Sequence, residues 1–147
     1  MSEKDVKPQE QAETADKKPI TDPLEQLKKF SRGTVKLMFP FRAHSQDVEK
    51  LDYDFCKLTG YDMAEALDTA PVNNIFAITN MQALALFAAA AERCAPYIEE
   101  NGHSIRLYDA KDIMKNLQSV DFVEPMKISK AFYNASSRVG SGNTSNG

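Results

Sequence analysis

The sequence predicts an α+β fold: a small antiparallel β-hairpin packed on a mainly helical domain of four or five helices, with disordered termini. Three observations carry this prediction. Two neighbouring stretches alternate apolar and polar residues, the period of a half-buried strand. One alanine- and leucine-rich run, Ala83 to Ala91, is apolar nearly all round, as a buried central helix is. The two ends, Met1–Asp22 and Ser141–Gly147, hold almost nothing that a core could use. A length of 147 residues with 42% hydrophobic and 27% charged residues suits one small domain with polar appendages.

Residues 1–22 carry four lysines, six carboxylates and only Val6 and Ile20 as branched apolar side chains. Burial of so little surface does not offset the entropy of ordering the chain, so a disordered charged tail is expected. Asp22-Pro23-Leu24-Glu25 then has helix-start chemistry: a side-chain acceptor, a proline at the first helical position and a capping-box glutamate. Leu24, Leu27 and Phe30 follow on one face, and Gly33 is expected to end the helix. This face either folds onto the core or docks a partner, and the three residues are the candidate partner-binding set.

The strands are expected at Val35–Phe41 and Lys50–Phe55. Val35, Leu37, Phe39 and Phe41 alternate in the first, and Leu51, Tyr53 and Phe55 in the second. Pro40 should stop the first strand or mark an edge. A lone hairpin is marginal in water, so helices must cover its apolar face. Four are expected. One opens at Thr59-Gly60-Tyr61-Asp62 and turns Met63, Ala66 and Leu67 inward. The central one opens at Thr79-Asn80-Met81-Gln82, a capping box. A third opens at Asp109 with Ile113, Met114 and Leu117 on one face. The fourth lies between about Asp121 and Ser137, with Pro125 in or near its first turn, Ile128, Ala131, Phe132 and Ala135 inward, and Gly140 just past its end. Glu99–His103 reads as a polar turn. The globular domain is thus 23–140, followed by a flexible Gly/Ser/Asn tail at 141–147.

Several activities lack their parts. No apolar run reaches the ~18 residues of a membrane span, and the polar start does not resemble a secretory signal. Cys56, Cys94, His44 and His103 are scattered, without zinc-site spacing. The thiols read as reduced small core hydrophobes. There is no nucleophile elbow and no phosphate-cradling glycine loop before a helix. Asp52 and Asp54 read as the solvated face of a strand rather than an acid/base pair. The domain balances 14 basic against 15 acidic residues from Leu24 to Val139, which argues against nucleic acid. The expectation is a chain with no catalytic, cofactor-binding or metal residues.

The order of features carries a resemblance. Leu58-Thr59-Gly60-Tyr61-Asp62-Met63-Ala64-Glu65-Ala66-Leu67 follows the hairpin. Then come the Ile78–Glu92 stretch, Tyr108-Asp109-Ala110-Lys111-Asp112-Ile113-Met114-Lys115-Asn116-Leu117, and Ala131-Phe132-Tyr133-Asn134-Ala135-Ser136-Ser137. From about Val35 to Gly140 this succession resembles the tail assembly chaperones of long-tailed phages and prophage-derived tail-like elements, with Leu-Thr-Gly the sharpest piece. The resemblance implies a non-enzymatic factor of the bacterial host cytoplasm. It would bind the tape-measure protein, keep it soluble until tail-tube protein polymerises around it, and be left out of the finished particle. The tail-tube protein and a second copy of the chain are further partners it allows, and relatives often have a longer frameshifted product. It supplies no residue-level binding motif. The alternatives are a structural tail component retained in the particle and a small cytoplasmic protein-interaction module. Met38, Met63, Met81, Met114 and Met126 suit a surface that repacks against varied helices, although core filling explains most of them.

Overall fold

The computed structural model describes residues 23–68 and 77–146. The element order is α1 (Pro23–Phe30), β1 (Arg32–Ala43), β2 (Gln46–Asp54), a 3-10 turn (Phe55–Lys57), α2 (Gly60–Leu67), α3 (Asn80–Glu92), β3 (Tyr97–Glu100), β4 (His103–Arg106), α4 (Ala110–Asn116) and α5 (Ser119–Asn146). The α+β class is as expected. The expected tail at 1–22 and the Asp22 cap lie outside the described residues.

Helix α3 is the centre. Ala83, Leu86, Phe87, Ala88, Ala90 and Ala91 are fully buried. Its start is a capping box: the Thr79 hydroxyl accepts from Gln82 N–H, and the Gln82 side chain accepts from Thr79 N–H. The Gln82 amide also donates to the Leu67 carbonyl at 2.8 Å, which joins the end of α2 to the start of α3. The inner face of the β1–β2 hairpin lies against α3, and α5 packs on α3 and carries α1 on its flank. Rings fill the junction. Phe55 stacks on Phe132 at 4.3 Å, and Tyr53 meets Phe87 at 5.2 Å and Phe55 at 5.6 Å.

The hairpin register has one interruption. Arg32 to Lys36 pair with Asp54 to Lys50, and Phe41 to Ala43 with Val48 to Gln46. Leu37–Pro40 thus face the single residue Glu49. Val35, Leu37 and Phe41 are buried, but Phe39, expected on the same face, is turned out. The extra residues of the bulge break the two-residue period there. Pro40 does not stop the strand. It sits in the bulge, where the ladder needs no N–H from it.

Other expectations are corrected. Helix α1 ends at Phe30 without Gly33, which belongs to β1 opposite Tyr53. A Cβ on Gly33 would lie 2.7 Å from the Tyr53 hydroxyl, so close approach of the ring is what calls for glycine. The Glu99–His103 turn belongs to a second antiparallel hairpin, β3–β4. Asn101 and Gly102 both have positive φ, as a two-residue hairpin turn requires. Helix α5 starts at Ser119, before Asp121, which places Pro125 beyond the first turn. It also runs through Gly140, which was expected just past its end. Finally, Cys56 is exposed and Cys94 only half-buried. In the 3-10 turn, Phe55 takes the buried position and Cys56, one residue on, faces out.

Candidate functional site

The three sequence-predicted contact residues do not form one free face. Leu27 and Phe30 pack against the hydrophobic core, and only Leu24, 47% exposed, lies largely open. Helix α1 is a helix folded onto α5.

One open apolar surface is at the β1 bulge instead; Tyr61 on α2, Met81 on α3 and Tyr97 on β3 are exposed elsewhere. Met38 is 69% exposed and Phe39 53%, with Pro40 exposed beside them. Their exposure is held in place by Asp121, a buried residue in the first turn of α5. Its Oδ1 accepts the Met38 N–H at 2.8 Å, and its Oδ2 accepts the Phe39 N–H at 2.9 Å. A carboxylate that takes two N–H groups on its two oxygens makes charge-assisted, geometrically fixed bonds, and a helix N-terminus favours the negative charge. The bulge N–H groups, left without a ladder partner, are thereby satisfied. Two more apolar side chains stand exposed at this end of α5, Val120 at 48% and Val123 at 45%. Sequence alternation placed Phe39 inside and gave no warning of this knuckle. The one available signal is Pro40 within an otherwise regular strand pattern.

A concavity of about 530 Å³ lies over buried Ala85 and half-buried Ala89 of α3, between α2 and α4. Ala66, Ala85, Ala89 and Met114 give it apolar walls, and Glu65, Glu92, Asp109 and Lys111 stand at its rim. The capping boxes at Thr59 and Asp109 set the two flanking helices. Asp62 accepts from Thr59 N–H at 2.9 Å and from Arg93 at 2.6 Å. The Thr59 backbone bond, with help from the Thr59 hydroxyl and Arg93, holds the Asp62 carboxyl below its usual range. Glu92 accepts from Ala110 N–H at 2.8 Å, which ties α3 to α4.

Several other polar groups serve local structure. Asp52 accepts from the Thr34 hydroxyl at 2.6 Å, and Asp54 caps the 3-10 turn through Cys56 N–H at 2.9 Å. His44, in the β1–β2 turn, lies 3.1 Å from Glu100 and links the tips of the two hairpins. Burial pushes the Cys94 thiol up, away from the thiolate a nucleophile needs. Burial, then the nearby Asp52 charge, pushes Tyr108 up to about 12. Among the described residues, no group of three or more His, Cys, Asp or Glu side chains converges as a metal site would require. No helix among them is long and apolar enough to cross a membrane. No family model, no curated protein and no solved structure matches the chain.

Proposed function

We propose that this protein is a non-enzymatic binding protein, a phage tail assembly chaperone of the host cytoplasm that holds the tape-measure protein soluble while the tail tube assembles. The observation that carries the reading is the knuckle at Met38 and Phe39. Two large apolar side chains are turned to solvent by a bulge that a buried carboxylate fixes. Exposure of that kind costs hydrophobic free energy, and a cluster of exposed apolar side chains marks an interaction site. A tape-measure protein, long and helical, offers amphipathic stripes for such a surface. Methionine beside an aromatic ring gives a contact that adapts to different side chains. The resemblance in the order of Leu58–Leu67, Ile78–Glu92, Tyr108–Leu117 and Ala131–Ser137 supplies the identity of the client.

Co-expression with a tape-measure protein from the same gene cluster tests the reading. The client is expected in the soluble fraction with this protein and in the pellet without it. Mass spectrometry of finished particles should find this protein missing. A client equally insoluble in both cultures overturns the chaperone reading, and retention in the particle would make the protein a structural tail component.

A further inference from the structure

The knuckle presents a thioether that cannot withdraw from water. Met38 is 69% exposed, and its backbone is committed. Asp121 accepts the Met38 N–H at 2.8 Å and the Phe39 N–H at 2.9 Å. Leu37 and Phe41, on either side of the bulge, already fill the inner face of the strand. The Met38 side chain therefore stays outside as long as the bulge keeps its shape. The other methionines of the described residues stand differently. Met63, Met114 and Met126 are half-buried, and Met81, 50% exposed, lies on another element, at the start of α3. Met38 is thus the most exposed methionine among the described residues, and its sulfur lies within an apolar surface that includes exposed Phe39.

We propose that Met38 is a reversible oxidation site, at which hydrogen peroxide turns the knuckle from apolar to polar and so releases an apolar partner; the release rests on the binding role proposed above for the same surface. The sulfur lone pair attacks one peroxide oxygen. An S–O bond forms as the O–O bond breaks, and water leaves; the sulfur is oxidised by two electrons and the peroxide is reduced. The product sulfoxide is polar and chiral where the thioether was apolar and flexible, a change that disrupts methionine-rich contacts. The Met38 side chain lies largely outside the core, so the added oxygen alters the surface and leaves the fold intact. A thiol-dependent sulfoxide reductase restores the thioether: two thiols become a disulfide, and the oxygen leaves as water.

The test starts from the purified full chain and limiting hydrogen peroxide. Peptide mapping by mass spectrometry over time should find Met38 oxidised several-fold faster than Met63, Met114 and Met126. The oxidised chain should keep the parent's thermal midpoint and leave a hydrophobic-interaction column earlier. Met38→Leu should lose most of that column shift and Met81→Leu should keep most of it, and sulfoxide reductases with dithiothreitol should reverse it. Oxidation of Met38 no faster than of the half-buried methionines, or an unchanged shift in Met38→Leu, overturns the site. Once peroxide is removed, the oxidised parent should fail to keep a tape-measure protein soluble on dilution from urea, whereas untreated parent and treated Met38→Leu should succeed. Equal client solubility with treated and untreated parent overturns the release. If untreated parent holds no client, the chaperone reading falls, and the map and the column still decide the oxidation site.

Discussion

Gly33 shows how one atom constrains a position. Tyr53 is pinned between Phe55 and Phe87, so its hydroxyl has little freedom to leave the space a Gly33 side chain would enter. Gly33→Ala should therefore cost about 1–3 kcal/mol, the usual penalty of overpacking. In a Tyr53→Phe background, where the nearest atom is gone, urea denaturation should recover a good part of that loss. Equal losses in both backgrounds would mean that the strand backbone, not the ring, sets the requirement. Tyr108 predicts a pH effect. Its folded pKa is raised to about 12 from an ordinary 10, so the neutral form is favoured in the folded state. The stability this contributes is intact below pH 10 and is lost as pH rises from there towards 12. Tyr108→Phe should flatten that alkaline fall in thermal melts, and a profile unchanged by the substitution would contradict the assignment. What the sequence made readable at this scale was the positions whose period runs unbroken: Leu51, Tyr53, Phe55, Phe87 and Ile113 are all inside, whereas Phe39, past the start of the bulge, is not. The contact that requires Gly33 was not readable, because it depends on a ring twenty residues away.

At the scale of elements, the helix starts at Thr59, Thr79 and Asp109 were accessible from local chemistry, since a capping box is completed within four residues. The second hairpin was within reach too, because Asn101-Gly102 is a strong two-residue turn signal. Its strands are only four residues each, too short for alternation to announce them. The β1 bulge was out of reach. It depends on Asp121, more than eighty positions along the chain, whose carboxylate takes over the N–H groups of Met38 and Phe39. Removing that carboxylate with Asp121→Ala should cost about 1–3 kcal/mol, the penalty for donors left unsatisfied. Amide hydrogen exchange at Met38 and Phe39 should accelerate well beyond that at Val35. Unchanged protection at those two amides would show that the bulge holds its shape without the clamp. The same dependence on distant partners hid the candidate site: Leu24, Leu27 and Phe30 share a helical face in sequence, but Leu27 and Phe30 are spent on the core.

The whole molecule divides its apolar surface unevenly. Alanines on α3 let the hairpin, α2, α4 and α5 all close around one helix, so the core is satisfied within the chain. Met38 and Phe39 are left facing water on a fixed bulge, Val120 and Val123 are exposed at the start of the helix that clamps it, and Tyr61, Met81 and Tyr97 are exposed on other elements. That division is what a protein acting by contact requires: a stable interior and an apolar surface that association can bury. The most direct measurement is the soluble yield of a co-expressed tape-measure protein with the Met38→Ser/Phe39→Ser double variant, beside the parent and Phe30→Asp. Both substituted side chains are exposed, so the variant should unfold at the same midpoint as the parent while client yield falls to that of a culture without the protein. Phe30→Asp should instead lower the midpoint, because Phe30 belongs to the packed face. A folded double variant that keeps the client as soluble as the parent does would contradict the account.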